Sequence, residues 1–305
     1  MYANPLFSVV VLNHNKKEKV LRCLESVLKL SWRPIEILCV DNASQDGSPE
    51  AIRTRFGESV RIIERTENSV TQARNQGFLA ARGVYILSLD NDMLLPDSNL
   101  LEKGHSLFTE HERVGILTAK VASPEEPDQF QSEHWWHPFE RETHQDRLFL
   151  TDYFPEAAVF LRRSAIEETG GYDEAYFMGF EQADLSIRMA RIGWKILYSP
   201  SLVCIEDDTR AEFVSKRHPI HYYNIRNKLW TAWKHYPLFE AIGFGAARSG
   251  VSLFRGFRHG YPDLILKGIF HGLFPPETIR RQRSPLNSKE RERVRSARKG
   301  EVLHP

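Results

Sequence analysis

Cysteine is scarce in this chain: Cys23, Cys39 and Cys204 are the three among 305 residues. The number is odd and no two make a Cys-x-x-Cys pair, so a disulfide framework or a cysteine zinc site is excluded and reduced thiols in a cytoplasmic protein are expected. No run approaches the roughly 18 apolar residues of a membrane span. The first residues lack the basic start and apolar stretch of a secretory signal, so a cytoplasmic location is expected. An excess of one charge is also missing, with 41 Lys/Arg against 40 Asp/Glu, and this argues against nucleic acid as a partner. No Gly-rich basic phosphate loop opens the chain; Asn13-His14-Asn15-Lys16 stands where a nucleotidyltransferase carries one. There is no internal repeat.

What is present is an α/β pattern. The hydrophobic share of 41% suits a globular protein, and the length allows one large α/β domain with an appendage. Short apolar runs alternate with helical spacings through the first half, the mark of a mostly parallel central sheet flanked by crossover helices. Strands are expected at Phe7–Leu12, Ile35–Val40, Val60–Ile63, Val84–Leu89, Val114–Thr118 and Ala157–Leu161. Capping boxes are expected at Ser69–Gln72 and Ser164–Glu167, and a helix from Glu181 to Ile192 ending at Gly193. Residues 122–152 read as a long irregular connection carrying Trp135 and Trp136. After about Asp208 the pattern turns to helices rich in aromatic and basic residues, and from Pro285 apolar residues almost vanish, which predicts a mobile tail. The expected division is a catalytic domain over 1–208, a helical acceptor- or membrane-associated extension over 209–284, and a basic tail over 285–305.

Ligands in open α/β sheets bind beyond the C-terminal ends of the strands. Three polar clusters fall there: Asn13-His14-Asn15-Lys16, Asp41-Asn42 and Asp90-Asn91-Asp92. Asp90 and Asp92 repel one another unless a cation lies beside them, and hard oxygen ligands suit Mg²⁺ or Mn²⁺, ions that also bind substrate phosphates. Glu181 and Asp184 share a helix face, with Arg188 one turn beyond Asp184 and able to pair with it. His134 and His137 are spaced like metal ligands, yet no Cys or carboxylate pattern completes them; a surface loop or sugar stacking by the tryptophans is the better reading.

These motifs, in this order, resemble family 2 glycosyltransferases. The resemblance rests on Ser8–Asn15, Val40–Ser48, Ala73–Gly77, Leu89–Asp92 and Gly170–Glu174 with Glu181–Leu185, Arg188 and Gly193-Trp194. It covers about Phe7 to Asp208, with a weaker echo in Tyr223–Asn227, and is nearest to bacterial rhamnosyltransferase-like members. It implies a GT-A fold, a nucleoside-diphosphate sugar donor of dTDP or UDP type, Mg²⁺ or Mn²⁺, inversion at the anomeric carbon, and a glycan or lipid-linked acceptor in cell-surface polysaccharide synthesis. Carried over by position, it implies donor binding by Asn13, His14, Asp41, Arg74, Asp90 and Asn91, and metal binding by Asp90 and Asp92. An acceptor hydroxyl must lose a proton as it attacks, so a carboxylate base is needed. Many relatives have Asp where this chain has Gln182, which leaves Glu181 or Asp184 as base or the chain as a non-catalytic nucleotide-sugar binder. Relatives also often carry a metal-binding histidine where this chain has Cys204–Asp208, so Glu206 is the expected replacement ligand.

Residues 239–274 mix aromatic and apolar side chains with Arg248, Arg255, Arg258 and Lys267. From Pro276 to Pro305 nine Lys/Arg face four Asp/Glu, a local charge of +5. The mixture suits either packing helices with a solvated tail or a peripheral contact with an anionic membrane surface, on the inner face of the plasma membrane.

Overall fold

The structure is a computed structural model and describes residues 4–132, 134–137, 139–207, 218–299 and 301–303. Asp208, the expected end of the catalytic domain, lies outside the described residues.

Strand β1 (Phe7–Asn13) is an apolar run buried on both faces, as a central parallel strand must be. It lies between β2 (Ile35–Asp41) and β4 (Tyr85–Asp90), and β3 (Arg61–Glu64) follows β2; these four strands are mutually parallel. Beyond β4 the directions mix. β8 (Ala158–Arg162) runs antiparallel to both β4 and β6 (Val114–Ala122), and β9 (Lys195–Glu206) runs parallel to β6. Two short strands, β5 (Met93–Leu94) and β7 (Phe149–Thr151), pair antiparallel with β9. The sheet order is β3-β2-β1-β4-β8-β6-β9-β5.

Alternate residues of each central strand feed opposite cores. Val9, Val11, Leu87 and Phe160 pack with α1 (Lys17–Leu28), α2 (Ser48–Phe56) and α4 (Leu100–Glu110) on one face. Val10, Ile86, Val159 and Leu161 pack with α3 (Val70–Ala80), α6 (Arg163–Thr169) and α7 (Glu181–Ile192) on the other. Helix α7 spans the expected residues and ends at Gly193 in the left-handed conformation. Neither expected capping box forms. Ser69 caps α3 without a side-chain bond while Gln72 accepts from Arg65 at 2.8 Å, and Ser164 lies inside α6. Local hydrogen-bond partners from neighbouring loops displaced the expected ones.

The connection over 122–152 is more ordered than its composition predicted. It contains α5 (Arg141–His144) and β7, and it is anchored by Phe130, Phe149 and Tyr198. Trp135 packs against Phe130, Phe149 and Tyr198, and its indole N–H donates to the Phe139 carbonyl at 2.7 Å. That holds it as a packing residue, and only Trp136 of the pair is exposed.

Helices α8 (Ile220–His235), α9 (Leu238–His259) and α10 (Pro262–Leu273) form the C-terminal extension, with a core of Ile225, Leu229, Tyr261 and Ile265. Gly268 and Gly272 let α10 lie directly on α8; a Cβ at either would sit 2.5 Å from Ile225 or Leu229. α11 (Glu277–Arg281) leads to α12 (Ser288–Lys299). The stretch from Pro285, expected to be mobile for want of apolar residues, is instead a docked helix. Polar contacts hold it: Arg191 to Ser284 and Glu290, and Arg298 to Asp152 at 2.9 Å. Leu150 and Leu303 extend the contact through backbone bonds of 2.9 Å to Glu301 and Leu148.

Candidate active site

The polar ends of β2, β1 and β4 are tied into one crevice. The Asn13 amide donates to Asp41 Oδ1 at 2.9 Å and its oxygen accepts from Asn91 at 2.9 Å. Asp41 Oδ2 accepts from the Ser44 N–H at 2.9 Å, and the Asn42 side chain accepts from the Ser69 N–H at 2.9 Å, joining the β2 loop to the start of α3. Asn13, Asp41 and Asn91 are buried. The His14 Nδ1 lies 2.8 Å from the Asn42 carbonyl, so it donates, and Nε2 then accepts from Asn15 and Asn68 at 3.2 Å each. The imidazole is fixed at the crevice by contacts to three loops.

Arg74, from α3, is buried beneath the crevice. It donates to Ser88 Oγ at 2.8 Å and to Asp90 Oδ1 at 2.6 Å, and its Nε faces Glu156 Oε2 at 2.9 Å. The expected nucleotide-supporting residue therefore acts on the strand ends, orienting Asp90. Burial raises the Asp90 proton affinity, Arg74 opposes the rise, and Glu206 adds to it. Solvent limits this effect, since the Asp90 side chain is 39% exposed.

Antiparallel pairing brings Glu206 to this edge. Met93 of β5 sits opposite Glu206 of β9, and the Asp207 N–H donates to the Asp92 carbonyl at 2.7 Å. Backbone pairing thus brings Glu206 to the edge that carries Asp90 and Asp92, although it is more than a hundred residues away in sequence. His134 reaches the same place, 3.0 Å from Glu206 Oε2, whereas His137 is buried among aromatic rings and bonds Thr151 Oγ1 at 2.8 Å. Among the described residues no three side chains are already gathered at coordination spacing. The oxygen donor set nevertheless fits Mg²⁺ or Mn²⁺, because such ions are commonly held by one or two carboxylates with substrate phosphates completing the shell.

Glu181 opens α7 and is 3% exposed. Its Oε2 is buried with no hydrogen-bond partner among the described residues. Burial pushes its carboxyl up to about 8, and the charge of Glu156 adds to the effect. The loop before it is strained: Phe177 and Phe180 have φ of 66° and 69°, values that bulky residues rarely adopt without outside support. Helix α8 gives that support. Asn227 shares its amide hydrogens among the carbonyls of Tyr176, Met178 and Gly179 at 2.5–3.1 Å, and Arg226 donates to Tyr176 at 2.7 Å.

Asp184, the other expected base, is excluded by its surroundings. It is fully buried and accepts from Lys234 at 2.6 Å, Arg188 at 2.8 Å and His235 at 2.8 Å. Burial works against its charge, but the His235 hydrogen bond and the Arg188 and Lys234 charges win and hold it well below the usual carboxylate range. It is a structural ion-pair hub joining α7 to α8. The expected i,i+4 pair with Arg188 is present.

Glu156 is the site residue that sequence reasoning missed. It accepts from the Tyr172 hydroxyl as well as facing Arg74. It precedes β8, and only the antiparallel direction of that strand sets its start beside the end of β4, where the Asp90 N–H bonds the Ala157 carbonyl at 2.9 Å. A cavity of about 540 Å³ opens elsewhere, lined by Gly171, Asp173, Arg191, Lys234 and Gln282 among others, and contains none of the strand-end residues.

Residues 8–170, more than half of the chain, match the family model described as glycosyl transferase family 2. The chain belongs to that family. Among curated relatives, this family 2 member is 33% identical over 100 residues to the glycosyltransferase GlyG of Streptococcus pneumoniae, covering 32% of this chain and 33% of that protein. It is 25% identical over 177 residues to a PGL/p-HBAD biosynthesis glycosyltransferase of Mycobacterium bovis, covering 57% of this chain and 66% of that protein. The chain thus spans a third to two-thirds of the length of these relatives. The fold is shared with solved GT-A structures. The mannosyltransferase PcManGT of Pyrobaculum calidifontis, in complex with GDP-Man and Mn²⁺, superposes with a TM-score of 0.59 at 17% identity over 90% of this chain and 88% of that one. Residues 1–349 of TarS from S. aureus, in complex with UDP-GlcNAc, superpose with a TM-score of 0.61 at 14% identity over 96% of this chain and 87% of that one.

Proposed function

We propose that this family 2 member is an inverting glycosyltransferase that moves a hexosyl or deoxyhexosyl group from a UDP- or dTDP-sugar to a glycan or lipid-linked acceptor in cell-surface polysaccharide synthesis. The observation that carries the reading is Glu181: a buried carboxylate whose Oε2 has no hydrogen-bond partner among the described residues, beside the Arg74–Asp90–Glu156 network, in a fold whose solved neighbours bind nucleotide sugars. In this reading Glu181 takes the proton of the acceptor hydroxyl as that oxygen attacks the anomeric carbon, and the nucleoside diphosphate departs on the opposite side. A carboxylate held up to about 8 is a strong enough base for that transfer once ionised.

Asn13, His14, Asp41 and Asn91 shape the nucleoside end, and Arg74 serves it through Asp90. Asp90, Asp92 and Glu206 would hold Mg²⁺ or Mn²⁺, with His134 as a neighbour; the ion supplies charge neutralisation for the leaving diphosphate. Residues 1–208 form the catalytic unit of this reading, and residues 209–284 the acceptor side, at the inner face of the plasma membrane without spanning it. No described helix is long and apolar enough to cross a membrane.

The test is a panel of UDP- and dTDP-sugars followed by thermal shift with Mn²⁺ and then by turnover, since a ligand that binds the folded state raises its melting temperature. Chelation with EDTA should abolish turnover and added Mn²⁺ or Mg²⁺ restore it. Asp92→Ala should lose turnover while retaining the wild-type circular dichroism. Full turnover in chelator would remove the metal from the proposal.

A further inference from the structure

Helices α9 and α10 carry large apolar side chains on both faces. Inward, glycines bring the helices close, Gly245 to Leu229, Gly256 to Ile265, and Gly268 and Gly272 to α8, while Ile265, Leu253, Leu264 and Ile269 pack into the core of the extension. Their outward positions are large and apolar. Phe239, Phe254 and Phe257 of α9 are 87%, 67% and 69% exposed, and Phe270, Leu273 and Phe274 at the end of α10 are 60%, 63% and 68% exposed. On α9 these phenylalanines share one face with Ile242, because 239, 242, 254 and 257 fall close to whole turns of a 3.6-residue helix. On α10, Leu266, Phe270 and Leu273 follow the same rule. The two helices pack side by side on α8, and no described residue outside them buries these side chains. Exposed apolar area this continuous marks an interaction surface.

The charges around it choose the partner. Arg248, Arg255, Arg258 and Lys267 are exposed in the same stretch. The acids there are Glu240, Asp263 and Glu277, and Glu240 is paired to Arg291 and Glu277 to Arg281. Face-to-face pairing of two copies would set arginine against arginine with little acid to answer it. An apolar face flanked by Arg258 and Lys267, with Arg248 and Arg255 further round α9 on the side whose charges act on Lys228 of α8, instead matches the head-group boundary of an anionic bilayer, where aromatic side chains enter the acyl region and cations meet phosphate.

We propose that the outer faces of α9 and α10 form a membrane-docking surface lying in the interface of an anionic bilayer, with Phe239, Phe254, Phe257, Phe270, Leu273 and Phe274 inserted below the head groups. This deepens the location proposed above by naming the surface and the lipid charge it reads. In this arrangement α8 lies between the docked helices and the loop that precedes Glu181.

The test is flotation of the full chain with vesicles of phosphatidylcholine, alone or mixed with phosphatidylglycerol. It needs neither donor nor acceptor, so failure of the membrane contact is distinguishable from failure of the transferase reading. Binding is expected on the mixed vesicles and should weaken with salt as the arginine contacts are screened. Phe254→Asp and Phe270→Asp should each lower apparent affinity by about tenfold or more, the ratio that one lost buried phenylalanine implies. Both positions are exposed, so an unchanged melting curve confirms that the variants fold. Arg258→Gln with Lys267→Gln should reduce binding to mixed vesicles towards that on phosphatidylcholine alone. A chain that stays in solution with mixed vesicles at low salt overturns the proposal. So does vesicle binding untouched by the two Phe→Asp changes, and so does a dimer in light scattering that those changes dissolve in the absence of any vesicle binding.

Discussion

Replacing Glu181 by its neutral isostere tests the electrostatics of the site without knowledge of the donor. The unfolded chain releases this proton near 4.5 and the folded chain near 8. Between those values the folded state holds a proton that the unfolded state has lost. The raised value therefore favours folding below 4.5, and the advantage is lost as pH rises through 8. Inside the window the wild type loses about 1.4 kcal/mol of stability per pH unit through this group. Glu181→Gln lacks the proton and so lacks the slope, while Glu156, Arg74 and the other groups stay common to both proteins and cancel in the comparison. From pH 6 to pH 7.5 the variant should therefore gain about 2 kcal/mol on the wild type. For a chain of this size that is a relative rise in Tm of about 3 °C. Paired melting curves by calorimetry at the two pH values make the measurement. A difference between the two proteins that stays constant across the interval would show that Glu181 is already ionised at pH 6. The burial argument for its basicity would then fail. Turnover, once a donor is found, should fall by several orders of magnitude in the same variant with donor affinity little changed.

Two further substitutions probe how the base is held. Asn227→Ala leaves the carbonyls of Tyr176, Met178 and Gly179 without their shared donor, at a cost of about 1–3 kcal/mol in denaturant unfolding; turnover should fall further than that stability loss explains, because the strained Phe177 and Phe180 backbone relaxes. Asp184→Asn strips the charge from a hub bonded to Lys234, Arg188 and His235 and should destabilise by about 3–5 kcal/mol. A wild-type melting curve for that variant would contradict the assignment of Asp184 as structural.

The legible part of this protein was the part written in local pattern. The runs Phe7–Leu12 and Val84–Leu89, each ending in polar residues, announced the parallel half of the sheet, and Asn13, Asp41 and Asp90 duly meet at one edge. Helix α7 was visible to the residue because its periodicity ends at a glycine. Strand direction was not visible. Glu156 precedes a strand, and a residue in that position belongs at the opposite edge of a parallel sheet; it reaches the crevice only because β8 runs antiparallel to β4. Spacing alone made Glu181 and Asp184 equal candidates. Burial and three cationic or N–H partners, all supplied by Arg188 and by α8, separated them. The tail misled for a related reason: a charge run reads as solvated when its partners, here Arg191, Asp152 and the edge of β7, lie far away in sequence.

The extension and the base are mechanically one unit. The backbone that aims Glu181 passes through two phenylalanines of positive φ, held from one side by the Thr71 N–H of α3, which donates to the Phe177 carbonyl at 3.2 Å, and from the other by α8. The donors on the α8 side are Arg226 and Asn227, and the same helix supplies Lys234 and His235 to the Asp184 hub one turn beyond the base. α8 in turn is fixed by α10, through glycine contacts and the Trp230 indole bonding the His271 carbonyl at 3.0 Å. In the proposed reading, the C-terminal helices therefore help set the geometry of proton removal. If α9 and α10 dock on a bilayer as proposed, a shift of these helices would reach the proposed base through this path of direct contacts, and the Asn227→Ala variant, which cuts the path at α8, should lose any effect of vesicles on turnover.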